Sequence, residues 1–230
     1  MKFPSVNSKK LTRLSLSVIG AALLAIGATT AARADAIYNF TLDGCSGNCG
    51  PQASFGTIDL HQVDPDTVQI TVSLLNGNKF VTTGSHEGFA FNIQGSAVTI
   101  GVLPSGWGNP QTNQSEPGFG TFSNTIDCEM GNSNAKTGCA GDNPWVGDLI
   151  FEVNRGSGLV LSDFVGNSHN PPIFFATDII SGTTGKTGLV ASDGSSPVPE
   201  PGTLALLGTG ILGFATVLRR KVVGHTGINS

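Results

Sequence analysis

Residues 67–77 read T-V-Q-I-T-V-S-L-L-N-G, and this stretch decides the fold class. Every second residue from Val68 to Leu74 is apolar, and the residues between them are polar. A period of two places successive side chains on opposite faces of a β-strand, so one face is dry and the other wet. Asn76-Gly77 is a strong signal for a tight hairpin turn. We therefore predict an antiparallel hairpin in which residues 79–83 return along this strand.

Similar short alternating or apolar runs recur through the chain and predict further strands. They lie at residues 37–42, 54–60, 89–93, 98–102, 146–153 and 173–180. Between residues 35 and 198 no stretch has a convincing helical period, although one or two turns capped by Ser162 are expected at residues 161–165. Many short strands separated by Gly, Asn and Asp turns are typical of sandwiches. The predicted fold is mostly β, an antiparallel β-sandwich or jelly-roll-like ectodomain.

Residues 104–144 interrupt this pattern, because they are polar, rich in Gly and Asn, and have little periodicity. We predict long loops at one end of the sandwich, where binding sites often lie. Trp107 and Trp145 flank this region. If the two tryptophans are exposed, they are possible ligand contacts that stack on sugar rings. If they are buried, they cover the edge of the core.

The charge of the chain is unevenly distributed. Of its 12 Lys and Arg residues, five precede Asp35 and three follow Leu218. Residues 35–198 therefore hold four basic against fifteen acidic residues, a net charge of −11, while the whole chain carries −4. These 164 residues are enough for one domain with a core. The absence of a basic patch in this sequence excludes nucleic acid as a partner class.

All four cysteines fall within this acidic body, at Cys45, Cys49, Cys128 and Cys139. An even number of cysteines in an exported domain favours disulfides. Three pairings are possible, and we prefer the local ones, Cys45–Cys49 and Cys128–Cys139, because each encloses a loop rich in Gly and Asn. A zinc site is the rival, although these spacings are uncommon for zinc.

The N-terminus has the three regions of a secretory signal peptide. Basic residues (Lys2, Lys9, Lys10 and Arg13) precede an apolar run at residues 14–28, and Ala32-Arg33-Ala34 fits the A-x-A cleavage pattern. We predict a signal-peptide helix within residues 1–34 and a mature chain that begins at Asp35. The implied partners are the Sec-type export machinery and signal peptidase.

The C-terminal stretch 197–221 reads P-V-P-E-P-G-T-L-A-L-L-G-T-G-I-L-G-F-A-T-V-L-R-R-K. Prolines favour an extended strip that has no internal hydrogen bonds, so its backbone is open to a processing enzyme. Residues 204–218 hold no charge and span about 22 Å as a helix. With residues 202 and 203 they predict a thin transmembrane helix, 202–218. The basic cluster Arg219, Arg220 and Lys221 is expected on the cytoplasmic side.

This tail resembles the PEP-CTERM protein-sorting tail, which joins a Pro-Glu-Pro motif to a short apolar helix and a basic cluster. The resemblance implies that Pro199, Glu200 and Pro201 are read by an exosortase, a membrane transpeptidase-like processing enzyme. It implies a transient membrane anchor followed by release to the cell surface or the exterior, and an association with exopolysaccharide. The predicted organisation is signal peptide 1–34, ectodomain 35–194, linker and motif 195–201, helix 202–218 and basic tail 219–230.

The sequence holds no motif that selects catalytic residues, and we expect neither an enzyme nor a required cofactor. The hydrolase elbow G-x-S-x-G is missing from the sequence, and the three histidines of residues 35–198 have no metal-binding spacing. Calcium is the one ion that the acids suggest, at Asp64 and Asp66 or at a cluster of Asp127, Glu129, Asp142 and Asp148. We expect a non-enzymatic cell-surface or matrix protein. The alternatives are a carbohydrate- or calcium-binding sandwich module and a secreted hydrolase.

Overall fold

The computed structural model describes residues 35–128, 139 and 143–197, with the backbone alone for 195–197. In chain order the strands are β1 (Asp35–Asn39), β2 (Leu42–Cys45), β3 (Gly56–Asp64), β4 (Thr67–Leu74), β5 (Lys79–Phe80), β6 (Phe89–Phe91), β7 (Thr99–Ile100), β8 (Gly108–Gln111), β9 (Gln114–Glu116), β10 (Gly120–Phe122), β11 (Asn124–Asp127), β12 (Leu149–Asn154), β13 (Phe175–Ile180), β14 (Thr187–Ser192) and β15 (Ser195–Pro197). A 3-10 helix (Leu161–Asp163) precedes β13. This confirms a mostly antiparallel β architecture.

The first sheet has the strand order β15-β1-β3-β4-β12-β7, and every pairing is antiparallel. Along β12, buried Leu149, Phe151 and Val153 alternate with exposed residues, and β4 alternates in the same way from Val68 to Val72. The outer face of this sheet meets solvent, as the period of two predicted for residues 67–74.

The second sheet has the order β2-β14-β13-β6-β11-β8, and β5 pairs with β13 beside this path. Its three central strands, β6, β13 and β14, are almost entirely buried. The inner face shares one apolar core with the first sheet, in which Phe89, Phe91 and Phe175 pack with residues such as Ile58 and Leu60.

The outer face of the second sheet is covered by the β9–β10 hairpin. Phe119 and Phe122 from this hairpin segment form a second apolar cluster with Ala90, Ala176 and Leu189 on the sheet. Burial of about 150–250 Å² per aromatic side chain holds the hairpin down. Ala90 and Asn92, which alternate with the apolar residues of the strand predicted at 89–93, are both buried, so this strand has no wet face.

The predicted hairpin after β4 is half correct. Asn76 and Gly77 both have positive φ, and the Asn78 N–H donates to the Leu75 carbonyl at 3.0 Å, so the turn is confirmed. The returning strand β5 pairs with β13 of the other sheet instead of β4. Both edges of β4 are occupied, by β3 and by β12, so no edge remains for β5.

Three other boundaries differ from the sequence predictions. The strand predicted at 98–102 is reduced to β7, and Val102 is 93% exposed. Residues 104–144, predicted as loops, contain four strands, β8 to β11. Residues 195–197, assigned to the linker, form β15 on the edge of the first sheet.

The predicted helical turn exists as the 3-10 helix, but Ser162 does not cap it. The Val160 N–H donates to the Asp163 carboxylate at 3.0 Å. Within the described part of the chain, no helix is long and apolar enough to cross a membrane. The signal peptide 1–34, with its cleavage residues Ala32 and Ala34, and the helix predicted at 202–218 lie outside the described residues.

Candidate functional site

A group of acidic side chains gathers around the loop 82–88, which joins β5 to β6. The Thr82 hydroxyl donates to Asp127 Oδ1 at 3.4 Å. The next residue, Thr83, binds Asp178 through its N–H and its hydroxyl, at 2.5 and 2.7 Å. The Glu87 N–H donates to Glu116 Oε1 at 3.1 Å. One short loop therefore collects carboxylates from β11, β13 and β9, and we call Glu87, Glu116, Asp127 and Asp178 the acidic cluster.

The acidic cluster lies between the β9–β10 hairpin and the outer face of the second sheet. Asp178 pairs in register with Leu189, which belongs to the apolar cluster on that face. Glu116 lies on the covering hairpin, at the end of β9. The cluster therefore combines a carboxylate of the hairpin with a carboxylate of the sheet, and the charge of Asp178 acts on Glu116.

Glu116 has a strongly raised pKa. Its side chain is 1% exposed. Burial is the largest cause that raises the pKa of Glu116 from 4.5 to about 7, and the negative charges of Glu87, Asp178 and Asp127 raise it further. The hydrogen bond from the Glu87 N–H opposes this shift. Near neutral pH the carboxyl group of Glu116 is therefore poised between its charged and its protonated form.

Asp178 is fully buried, and burial raises its pKa although Thr83 and His86 act in the opposite direction. His86 Nδ1 lies 3.6 Å from Asp178 Oδ2, which is too long for a good hydrogen bond. Glu87 also has a raised pKa, through burial first and then through the charge of Asp127. The cluster therefore concentrates negative charge in a place where charge is costly.

Three buried oxygen atoms on this side of the sheet have no hydrogen-bond partner among the described residues. They are Glu116 Oε2, Asp178 Oδ1 and the hydroxyl of Thr125. Thr125 lies opposite Ala90 on the outer face, because its neighbour Ile126 points into the main core. Buried polar atoms usually have partners. The hydrogen bonds of the described residues therefore leave three polar oxygen atoms unpaired on this side of the sheet.

The sequence reasoning found only Asp127 of this cluster. Glu116, Glu87 and Asp178 come from separate strands and loops, so no local spacing connects them. One local signal was present, because Asp178 interrupts the apolar strand F-A-T-D-I-I with an acid. A carboxylate at such a position must find compensation in the folded state.

The structure argues against Trp107 as a sugar-stacking residue. Its side chain is 2% exposed and packs edge-on against Phe80 at 5.2 Å between ring centroids. Trp145 is partly exposed, contacts the same Phe80 ring at 5.6 Å and lies 5.8 Å from Trp107. The three rings form an aromatic cluster at the edge of the core, the structural role that the sequence left open for both tryptophans.

Both preferred disulfides are present in the structure. Cys45 pairs with Cys49 at a Cα separation of 5.5 Å, and Cys128 pairs with Cys139 at 5.3 Å. Asp43 accepts the N–H groups of Cys45 and Cys49 at 2.9 and 2.8 Å and so holds the small loop. These three side chains lie within metal-binding reach of one another, but the two sulfurs are bonded and are not thiolate ligands.

The remaining acids proposed for calcium do not form a site in the described structure. Asp64 accepts the Asp66 N–H at 2.8 Å, which is ordinary turn chemistry. Asp148 is exposed in the loop before β12. Glu129 and Asp142 lie outside the described residues.

The residues predicted to direct processing lie at or beyond the ends of the described structure. Asp35, the predicted first residue of the mature chain, begins β1, and its carboxylate contacts His61 Nδ1 at 2.5 Å. The motif residues Pro199, Glu200 and Pro201 and the basic cluster Arg219, Arg220 and Lys221 lie outside the described residues.

Comparison with protein families matches residues 197–221 to the PEP-CTERM protein-sorting motif. The match confirms the resemblance of the tail and supports an exported surface protein that is sorted by an exosortase, its implied processing partner. It covers 25 of the 230 residues, so it assigns no activity to the β domain. No curated protein and no solved structure matches the chain.

Proposed function

We propose that the protein is a non-enzymatic component of the cell surface or extracellular matrix, associated with exopolysaccharide in a biofilm or floc. The observation that carries this proposal is the sorting motif directly after an acidic, disulfide-bonded β domain. In this proposal the domain is an antiparallel sandwich module. It is exported through the Sec-type machinery, cleaved by signal peptidase, anchored briefly by the helix at 202–218 and then processed near Pro199–Pro201.

Sorting is tested by the intact mass of the protein in membrane, surface and medium fractions of its host. We expect a chain that begins at Asp35 and ends within the Pro-Glu-Pro motif. Glu200→Ala should leave a membrane-bound chain that still ends at Ser230. Glu152→Ala removes an exposed acid of β12 and serves as the matched control, which should be processed normally. A wild-type chain that runs to Ser230 only in membranes would show that the tail is a permanent anchor.

The non-enzymatic role and the association with polysaccharide need separate assays. We expect no turnover on a panel of glycan and ester substrates, and turnover would favour the secreted hydrolase instead. We expect the wild-type protein to cosediment with the exopolysaccharide of its host. Trp145→Ala tests the binding-module alternative, because Trp145 is the partly exposed member of the aromatic cluster. Cosedimentation that depends on Trp145 would favour that alternative.

A further inference from the structure

We propose that a cleft beside the start of β3 and the end of β4 binds a neutral sugar unit of the exopolysaccharide. The cleft is lined by residues 51–54, Leu75, Asn76 and Thr183, has a volume of about 470 Å³, and is called the amide cleft below. Small-ligand sites usually have volumes of about 300–1,000 Å³. The inference rests on the proposed association with exopolysaccharide and names the site and the class of sugar.

The walls of the amide cleft combine apolar groups with neutral polar groups. Leu75 is 41% exposed although its side chain is large and apolar, and exposed Pro51 and Ala53 line the same cleft. Asn76 and Thr183 add an amide and a hydroxyl group. A sugar ring has apolar C–H faces and hydroxyl groups that both donate and accept hydrogen bonds. An apolar wall with a few fixed polar groups therefore suits it.

Hydrogen bonds fix the orientation of the amide side chains in this cleft. The Asn76 amide donates to Gln52 Oε1 at 2.9 Å and to the Ser54 carbonyl at 3.1 Å. The Asn78 amide donates to the same Gln52 oxygen at 3.0 Å, and Gln52 Nε2 donates to the Cys49 carbonyl at 3.0 Å. Both donors of Asn76 are therefore used, and its Oδ1 remains an acceptor for a ligand hydroxyl.

The loop after β13 forms another wall of the amide cleft and is tied to the rest of it. The Ser181 hydroxyl donates to the Cys49 carbonyl at 2.6 Å and accepts the Thr183 N–H at 3.1 Å. The Gly182 N–H donates to Asn78 Oδ1 at 3.0 Å. Thr183 itself is exposed, and its hydroxyl makes no hydrogen bond within the described structure. A cleft that is held in shape before binding loses little conformational entropy when a ligand enters.

The charge of the domain favours a neutral sugar over a charged one. Residues 35–198 carry a net charge of −11, which repels uronic acids and other anionic sugars. The described residues that line the amide cleft include no cationic side chain to offset this repulsion. They also include no carboxylate that would pair with a cationic sugar. A neutral hexose needs neither kind of group.

A second cleft provides a comparison within the same domain. It has a volume of about 380 Å³, lies in the loops after β6 and β12, and includes Arg155, Ser157 and Asp163. The Arg155 guanidinium donates to the Asp163 carboxylate and to the Gln94 carbonyl, so its charged groups are bonded to the protein itself. Ser157 is exposed and carries a hydroxyl, so it is the matched control for Thr183.

The test is cosedimentation of the protein, purified from its host, with the exopolysaccharide of that host. Oligosaccharides from partial hydrolysis of the polymer, separated into a neutral and a uronic-acid fraction, serve as competitors. We expect the neutral fraction to displace the polymer and the uronic-acid fraction to leave it bound. Thr183→Ala and Leu75→Ala should each lower the affinity about fivefold, because each removes one contact from an exposed side chain. Thr183→Ser, which retains the hydroxyl, and Ser157→Ala should bind like the wild type.

Hydrogen exchange locates the bound sugar on the domain. The neutral fraction should protect amides in residues 51–54, 75–78 and 182–184. The inference is overturned if the polymer binds but Thr183→Ala and Leu75→Ala retain full affinity, if the uronic-acid fraction is the better competitor, or if protection falls elsewhere. These results would leave the association with exopolysaccharide intact. A wild-type protein that does not cosediment with the polymer would overturn both the association and this site.

Discussion

Replacing Glu116 by Gln should remove a pH dependence from the stability of the domain. The folded-state pKa of Glu116 is raised from 4.5 to about 7, chiefly by burial and then by Glu87, Asp178 and Asp127. Between these two pH values the folded protein binds a proton that the unfolded chain has released, so the free energy of unfolding falls as pH rises. A shift of this size corresponds to about 3 kcal/mol, fully expressed above about pH 7. Glu87 and Asp178 nearby also have raised pKa values, so the difference between variant and wild type is the quantity to measure.

The assay is urea unfolding of the wild type and of Glu116→Gln between about pH 4.5 and 8.5, with chelator present so that protons alone are varied. The amide retains an oxygen for the Glu87 N–H, which donates to Glu116 Oε1 in the wild type. We expect the variant to be more stable than the wild type by up to about 3 kcal/mol at the alkaline end and nearly equal at the acidic end. Glu152→Gln should show no such divergence. A stability difference that stays constant across the range would refute a raised pKa at Glu116.

Two further predictions concern the disulfides and a close backbone contact. Removing the Cys128–Cys139 bridge should lower the free energy of unfolding by about 3 kcal/mol, and removing the Cys45–Cys49 bridge should lower it by about 2 kcal/mol. The longer loop gives the larger loss, because the two bridges span sequence separations of 11 and 4. Urea unfolding of the paired Cys→Ser variants measures both losses, and a larger loss for the Cys45–Cys49 pair would contradict the prediction. Gly182→Ala should cost at least about 2 kcal/mol, because its Cβ would lie 2.4 Å from backbone carbon, whereas Gly156→Ala has open space and should be nearly neutral in the same assay.

The sequence predicted β4 and β12 of the first sheet well. In β4 and β12 one face is wet, so the alternation of residue types reports directly on burial. In the second sheet the β9–β10 hairpin covers the outer face, and alternation disappears from β13. Short polar strands such as β9, Gln114–Glu116, have no periodic signal in the sequence. Their extended conformation depends on pairing with β10 across the turn and on the apolar cluster beneath the hairpin.

The turn at Asn76-Gly77 shows which features local sequence can predict and which it cannot. Two residues that tolerate positive φ dictate the path of the chain over four residues, and the structure has that path. They do not dictate which strand the chain meets next, since that depends on the edges left open by β3 and β12. The candidate site likewise depends on contacts between residues that are far apart in the sequence. Glu116 meets the Glu87 N–H across 29 residues, a contact set by how the sheet and the hairpin stack.

The pairing of β15 with β1 brings the two ends of the domain together. Ala36 stands opposite Pro197 in the register of these strands, so the ends are about 5 Å apart. A short glycine linker could close this gap, and new ends could be cut at the exposed residues 156 and 157. Such a circular permutant would keep both sheets while moving the sorting tail to another corner of the fold. It would show whether the exosortase needs only an accessible tail or also the surface next to which the tail now emerges.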